Sequence, residues 1–228
     1  MKKRITSKIL THHKKLYKKY HTSPKSLGIL KGQSVRFQVS SEIGIMNNST
    51  ILDVGCGFGD LCGFLKFKKQ NVKYYGVDIN EDFIKVAKKK YPNGIFEVRD
   101  IEVNPFKKKF DWVIGIGIST LSSSSNVKLI LKEMFKISKN GVVMDFLSSY
   151  VDFKEKNLFY TSPEKMFKFA KTLTKRVTIR HDYKPFEFCL YLYKNDKKTN
   201  KNYFQEYFNN LPKKIQSDSW MKRLLNIN

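Results

Sequence analysis

The segment Thr50-Ile51-Leu52-Asp53-Val54-Gly55-Cys56-Gly57-Phe58-Gly59 leaves this chain few folds to choose from. Its first half is a short apolar run, the pattern of a strand buried on both faces. Its second half places a glycine at every other position, and Asp60 to Lys69 then continues as a helix. A strand that ends and a helix that begins within a few residues need backbone angles that most side chains resist, and Gly55 supplies them. Gly57 has no side chain where a ligand must approach the main chain, and Gly59 lets the next helix pack close. The unpaired N–H groups that open such a helix complete a place for a polar ligand. A turn of this kind marks an α/β sheet that binds a nucleoside cofactor.

The rest of the chain alternates as that fold requires. Strands are predicted at 50–54, 72–77, 95–98, 110–116, 141–147, 176–180 and 188–193. Helices are predicted over 30–45, 60–69, 81–91, 126–138 and 162–173, the last with Ser162 as N-cap before Pro163. Five strand–helix units predict a parallel sheet with helices on both faces. Only His181 to Glu187 joins the last two strands, too short for a parallel crossover, so the final strand runs antiparallel. The predicted fold is α/β: a doubly wound, seven-stranded, mostly parallel sheet with an antiparallel last strand. Residues 1–45 form a helical N-terminal segment, with an early break at Ser23-Pro24 and Gly28. Residues 46–195 form the cofactor domain, and 196–228 a helical tail with short helices near 203–209 and 218–225.

Spacing decides which cofactor. Asp78 ends the second strand 23 residues after Gly55, near the roughly 20 expected for an acid that accepts ribose hydroxyls. A nicotinamide fingerprint, G-x-G-x-x-G, would need glycine where Asp60 stands. Asp53, two residues before the first glycine, would be unwelcome beside a pyrophosphate. Beside a cofactor with an ammonium and a sulfonium it is sensible.

In order, ILDVGCGFGDL, GVDI, VRDI and FDWVIGIG resemble the class I S-adenosylmethionine (SAM) dependent methyltransferases, a likeness that runs over residues 30–194. The resemblance implies a Rossmann-like domain with SAM as cofactor. It places Asp53 near the amino group of SAM, and Gly55, Cys56, Gly57 and Gly59 around its methionine part. It assigns Asp78 to the ribose and Asp100 with Ile101 to the flank of the adenine, and it counts Ile79 among the cofactor residues. Gly115, Ile116 and Gly117 end the fourth strand beside the cofactor. Arg36 and Gln33 precede the glycine turn, within range of the cofactor carboxylate, although a solvated helix face is an equal reading. Asp111, at the start of strand four, reads as structural, and Asp100 also reads as a turn residue.

The acceptor is less constrained. Ligands in such sheets lie beyond the carboxyl ends of the strands. Strand five leads into Ser148-Ser149-Tyr150 and strand six into His181-Asp182-Tyr183. His181 is the candidate general base, with a hydrogen-bonded loop histidine as its plain reading. Tyr150 and Tyr183, with Tyr160, are candidates to line the acceptor pocket, or else sheet-edge packing. No N-P-P-Y or D-P-P-Y follows strand four, where Gly117-Ile118-Ser119-Thr120 stands instead. The helical segment 1–45 resembles the lids of small-molecule methyltransferases. The expected function is methyl transfer from SAM to an oxygen or nitrogen of a small or medium-sized metabolite. The alternatives are an RNA methyltransferase that uses a lysine surface, and a SAM-binding protein without catalysis.

Composition bears on partners and compartment. The net charge is +24, as expected of a nucleic-acid or anionic-surface binder. Yet only Arg4, Arg36, Arg99, Arg176, Arg180 and Arg223 are arginine. Lys, Asn and Ile share A/T-rich codons, so an A/T-rich genome produces the same bias without a ligand. Nucleic acid is therefore not the favoured partner. Three cysteines without a secretory signal suit a reducing, cytoplasmic location. No run reaches the roughly 20 apolar residues of a membrane helix. No Cys/His cluster has zinc-ligand spacing, so no metal is expected.

Overall fold

The computed structural model describes residues 2–28, 33–44 and 46–194. Helix α1 (Lys2–Tyr20), a 3-10 turn (Pro24–Leu27) and helix α2 (Gln33–Ser41) precede the sheet. Then follow β1 (Ser49–Val54), α3 (Asp60–Phe67), β2 (Val72–Asp78), α4 (Glu81–Lys90), β3 (Ile95–Val98) and β4 (Phe110–Gly115). Next come α5 (Ser124–Ile137), β5 (Ser138–Ser148), β6 (Tyr160–Thr161), α6 (Pro163–Leu173), β7 (Arg176–Lys184) and β8 (Glu187–Tyr193). The predicted tail helices lie outside the described residues.

The main sheet runs β3-β2-β1-β4-β5-β8-β7, and β6 pairs in parallel with the end of β5. β1 is parallel to both β2 and β4, while β8 is antiparallel to both β5 and β7. This is the predicted doubly wound order with its antiparallel last strand.

Two faces of the sheet are buried because neighbouring residues in each strand point opposite ways. Leu52, Val113, Val142 and Leu190 face α5 and α6, meeting Val127, Leu131, Met166 and Ala170. Ile51, Ile114, Val143 and Tyr191 face α2, α3 and α4, meeting Phe37, Leu61, Leu65, Ile84 and Ala87. The helices start where polar caps allow. Asn80 accepts a bond from the Asp82 N–H at 3.0 Å, and Ser162 one from Lys165 N–H at 3.3 Å. α4 opens on Glu81 and Asp82 and closes on Lys88–Lys90, charges that suit the helix dipole at each end.

Three local expectations change. β5 starts at Ser138 and not at residue 141, because α5 ends one residue earlier. β6 has no counterpart among the predicted strands: two residues give no periodicity to read. β7 runs on to Lys184, so Pro185 and Phe186 alone make the turn into β8, in place of a seven-residue loop. Among the described residues no helix is long and apolar enough to cross a membrane.

Candidate active site

A cavity of about 300 Å³ opens at the carboxyl ends of β1, β2, β4 and β5. Its middle lies where β1 has β2 on one side and β4 on the other, the switch point at which such sheets bind ligands. One end is lined by Asp78, Ile79, Phe83, Asp100 and Ile101, at the tips of β2 and β3. The middle is Val54 to Gly57 against Ile116 to Ile118. The far end has Gln33 and Arg36 of α2 with Thr120, Leu121, Leu147 and Leu158. Ile9, His12 and His13 of α1 also face the cavity.

The glycine turn has the backbone its sequence implied. Gly55 and Gly57 have φ of +71° and +53°, a region that disfavours side chains. A Cβ at Gly55 would collide with the Ile118 side chain, and one at Gly57 would come within 2.9 Å of Leu27. Gly59 does not line the cavity; it packs the start of α3 near Phe96. Asp60, which breaks the nicotinamide fingerprint, opens α3 and binds Lys90 of α4.

Asp78 is tied to this turn. Its Oδ2 accepts the Gly57 N–H at 3.0 Å and its Oδ1 the Asn80 N–H at 2.8 Å. Burial pushes its carboxyl up to about 6, opposed by these N–H bonds. Asp100 lines the cavity and also caps its own turn, accepting the Glu102 N–H at 2.9 Å.

Asp53 departs from expectation. It is buried and does not line the cavity, and the Tyr74 hydroxyl donates to its Oδ2 at 2.5 Å. In β1 it points toward the α3–α4 face, since its neighbours Leu52 and Val54 take the other. Burial and the nearby Asp78 and Asp60 raise it to about 7. Cys56 lines the cavity, but burial raises its thiol pKa well above normal, as for an inert small residue.

Arg36 faces the cavity and is also anchored behind it. Its Nε donates to Glu187 Oε2 at 2.8 Å and its Nη2 to Glu187 Oε1. Asp145 Oδ2 lies 3.8 Å from Nε, and Lys184 Nζ 3.3 Å from Glu187. Asp145 in turn accepts the Gly117 N–H at 2.6 Å, fixing the loop that follows β4. Burial raises Asp145 to about 6, with Arg36 pulling the other way. Sequence reasoning singles out neither Asp145 nor Glu187. Each stands in an apolar run, and its partner Arg36 is more than a hundred residues away in sequence.

The acceptor-side expectations fare worse. His181 lies inside β7, not in a loop above the sheet, because the strand continues to the tight turn. Its Nε2 lies 3.3 Å from the Pro185 carbonyl and its ring meets Phe188 edge-on; it does not line the cavity. Tyr150 is 61% exposed and donates to Glu164 at 2.6 Å, away from the cavity. Tyr183 packs with the α2–α4 side core and likewise misses the cavity wall. Gly115 lies just behind the wall that Ile116 and Gly117 form. Asp111 is structural as expected, accepting the Thr50 N–H at 2.7 Å. Sequence reasoning missed His12 and His13. With Ile9 and Tyr17 they follow helical spacing, the one signal that placed them on an inward face.

These residues fit SAM. The Gly55–Gly57 main chain lines the middle of the cavity, with the Ile118 and Leu27 side chains close over the two glycines. Acids stand at one end for ribose hydroxyls, and the Arg36 cation at the other suits an amino-acid carboxylate. Among the described residues no cluster of three or more His, Cys, Asp or Glu is placed to hold a metal ion.

Comparison with known proteins agrees. The model of the methyltransferase-domain family matches residues 45–209. A protein of Invertebrate iridescent virus 6 named as a methyltransferase is 34% identical over 74 residues, covering 32% of this chain and 28% of that one. This chain thus spans about a quarter of that relative's length. The fold is similar to magnesium protoporphyrin IX methyltransferase from Synechocystis with bound SAH, at TM-score 0.60 and 13% identity, over 84% of this chain and 96% of that one. A TehB-like SAM-dependent methyltransferase from Corynebacterium glutamicum gives TM-score 0.58 at 16% identity, over 82% and 99% of the two chains. With the family model matched over most of the chain and the cofactor cradle in place, this chain belongs to the class I SAM-dependent methyltransferases.

Proposed function

We propose that the protein transfers the SAM methyl group to an oxygen or nitrogen of a small or medium-sized metabolite. One observation carries the acceptor half of this reading. The cofactor cradle continues into an apolar end at Leu147 and Leu158, which Gln33 and Arg36 of α2 border. A bordered cavity suits a compact acceptor better than a polymer.

SAM, when bound, supplies the activated methyl. The chain's part is to bind, orient and exclude water. Asp78 accepts from the ribose hydroxyls, and the Gly55–Gly57 main chain lies along the methionine part. Arg36 meets the carboxylate, while the Glu187 contact holds its guanidinium in place. Asp100 and Ile101 flank the adenine, as the resemblance implies. Ile9 and His13 of α1 help cover the site. Small-molecule acceptance is supported by the neighbour named for magnesium protoporphyrin IX.

An RNA acceptor is the second reading, favoured by α1, which has eight Lys or Arg residues and no acid. The two separate in one assay. With labelled SAM and a mixture of low-molecular-mass cell extract and total RNA, the label should appear in a dialysable product that separates from SAM by chromatography. Label in the RNA, together with RNA binding that falls steeply with salt, would replace the metabolite reading. No transfer to either, with SAM bound, would point to the non-catalytic alternative.

A further inference from the structure

The apolar end of the cavity has a definite chemistry, and its role as the acceptor end rests on the methyltransferase reading. Its walls are aliphatic: Leu121, Leu147 and Leu158, with Ile118 at the inner edge. Besides Arg36, three polar side chains break this surface, and each can accept: Gln33, Thr120 and Asn126, whose Nδ2 donates to Ser122 Oγ at 3.1 Å. Gln33 Oε1 is buried with no hydrogen-bond partner among the described residues. The Thr120 hydroxyl donates its proton to the Gly117 carbonyl at 2.9 Å, which leaves its lone pairs to a ligand. Arg36 is the one cation there among the described lining residues; Glu187 and Asp145 flank it, and the cofactor carboxylate takes what charge they leave.

These groups share one end because the fold brings them together. Gln33 lies one helical turn before Arg36. Leu147 is paired across the sheet with Glu187, the partner of Arg36. Leu158 precedes Phe159, whose N–H donates to the Thr120 carbonyl at 2.9 Å.

We infer that the acceptor is an apolar molecule that offers a hydrogen-bond donor of the hydroxyaryl or arylamine kind to Gln33 Oε1, and that anionic carboxylated or phosphorylated acceptors are disfavoured. A buried acceptor atom left without a donor costs about 1–3 kcal/mol, which a ligand O–H or N–H recovers. An acceptor anion would meet hydrogen-bond acceptors in an apolar setting and an arginine already shared by Glu187, Asp145 and the cofactor carboxylate, and burying an unpaired charge costs far more. The described lining residues at this end also hold no free general base. Asp145 and Glu187 are occupied behind the wall, and His181 lies elsewhere. The nucleophile must then be competent without one, as an acidic aryl hydroxyl or a neutral aryl amine is. The acceptor's oxygen or nitrogen takes the methyl as the carbon–sulfur bond breaks, the electron pair stays on sulfur, and the acceptor's proton passes to water.

The test uses the full chain loaded with S-adenosylhomocysteine (SAH), with calorimetry against 2-naphthol, 2-methoxynaphthalene and 2-naphthoate. 2-Naphthol should bind at least about five-fold tighter than its methyl ether, the value of a neutral hydrogen bond near 1 kcal/mol. 2-Naphthoate should bind more weakly than both. Gln33→Met keeps the length and helix propensity of the side chain and removes the acceptor. It should fold normally, bind SAH as before, and lose the preference for the naphthol over the ether. The inference is overturned if 2-naphthoate binds as well as 2-naphthol, if the loaded protein binds no naphthol, or if the preference survives in Gln33→Met. It is also overturned if Gln33→Met weakens SAH itself, which would assign Gln33 to the cofactor. Failure of the wild type to bind SAH would instead sink the methyltransferase reading.

Discussion

Asp53 and Asp145 are buried behind the cavity and Asp78 is half-buried in its wall; burial raises Asp53 to about 7 and Asp78 and Asp145 to about 6. Each binds its proton more tightly in the fold than in the unfolded chain, where an aspartate titrates near 3.9. Their contribution to stability is therefore complete below about pH 4 and is lost as pH rises through 6 to 7. Cofactor binding runs the opposite way, because only the ionised Asp78 accepts from two ribose hydroxyls at full strength. With a pKa of about 6, the ionised fraction falls about ten-fold between pH 7 and pH 5. The Kd for SAM should weaken by about that factor, read by calorimetry across the range; a flat profile would contradict the role of Asp78. Asp78 was legible in the sequence because a strand and a distance locate it. Asp145 was not: Met144-Asp145-Phe146 looks like any polar interruption of a strand, and only the folded chain brings Gly117 and Arg36 to it.

The elements were legible where period and punctuation agree. β1, β2 and β4 announce themselves as apolar runs, and the cap at Ser162 fixes the start of α6. The hairpin β7–β8 was legible in direction but not in length, since its aromatic and charged residues alternate through the turn. That difference removed His181 from the acceptor side. The same hairpin carries Glu187, through which α2 is fastened to the sheet by Arg36. Glu187 is 1% exposed, so loss of Arg36 leaves a buried carboxylate with only Lys184 nearby. Removing one partner of a buried pair costs about 3–5 kcal/mol. Arg36→Met should fall at the low end, about 3 kcal/mol in urea unfolding, because Lys184 remains. Glu187→Gln in the Arg36→Met background should recover most of that loss. A single variant as stable as the wild type would show that the pair does not fasten α2.

At the scale of the whole molecule, the sheet order places an acidic end, a glycine-lined middle and an apolar end in one line across β3, β2, β1, β4 and β5. That line is what a nucleoside with an amino-acid arm and a methyl acceptor require. The cofactor half was readable from the sequence because its residues follow strand ends at fixed spacing. The acceptor half was not, because Gln33, Thr120, Leu147 and Leu158 come from four separate segments with no shared motif. The most direct measurement is calorimetry of SAM with the intact chain and with Asp78→Ala. The wild type should bind one SAM per chain, and the variant, folded to the same melting profile, should bind about ten-fold more weakly, a loss of about 1.4 kcal/mol. No SAM binding by the folded wild type, or equal binding by the variant, would contradict the account.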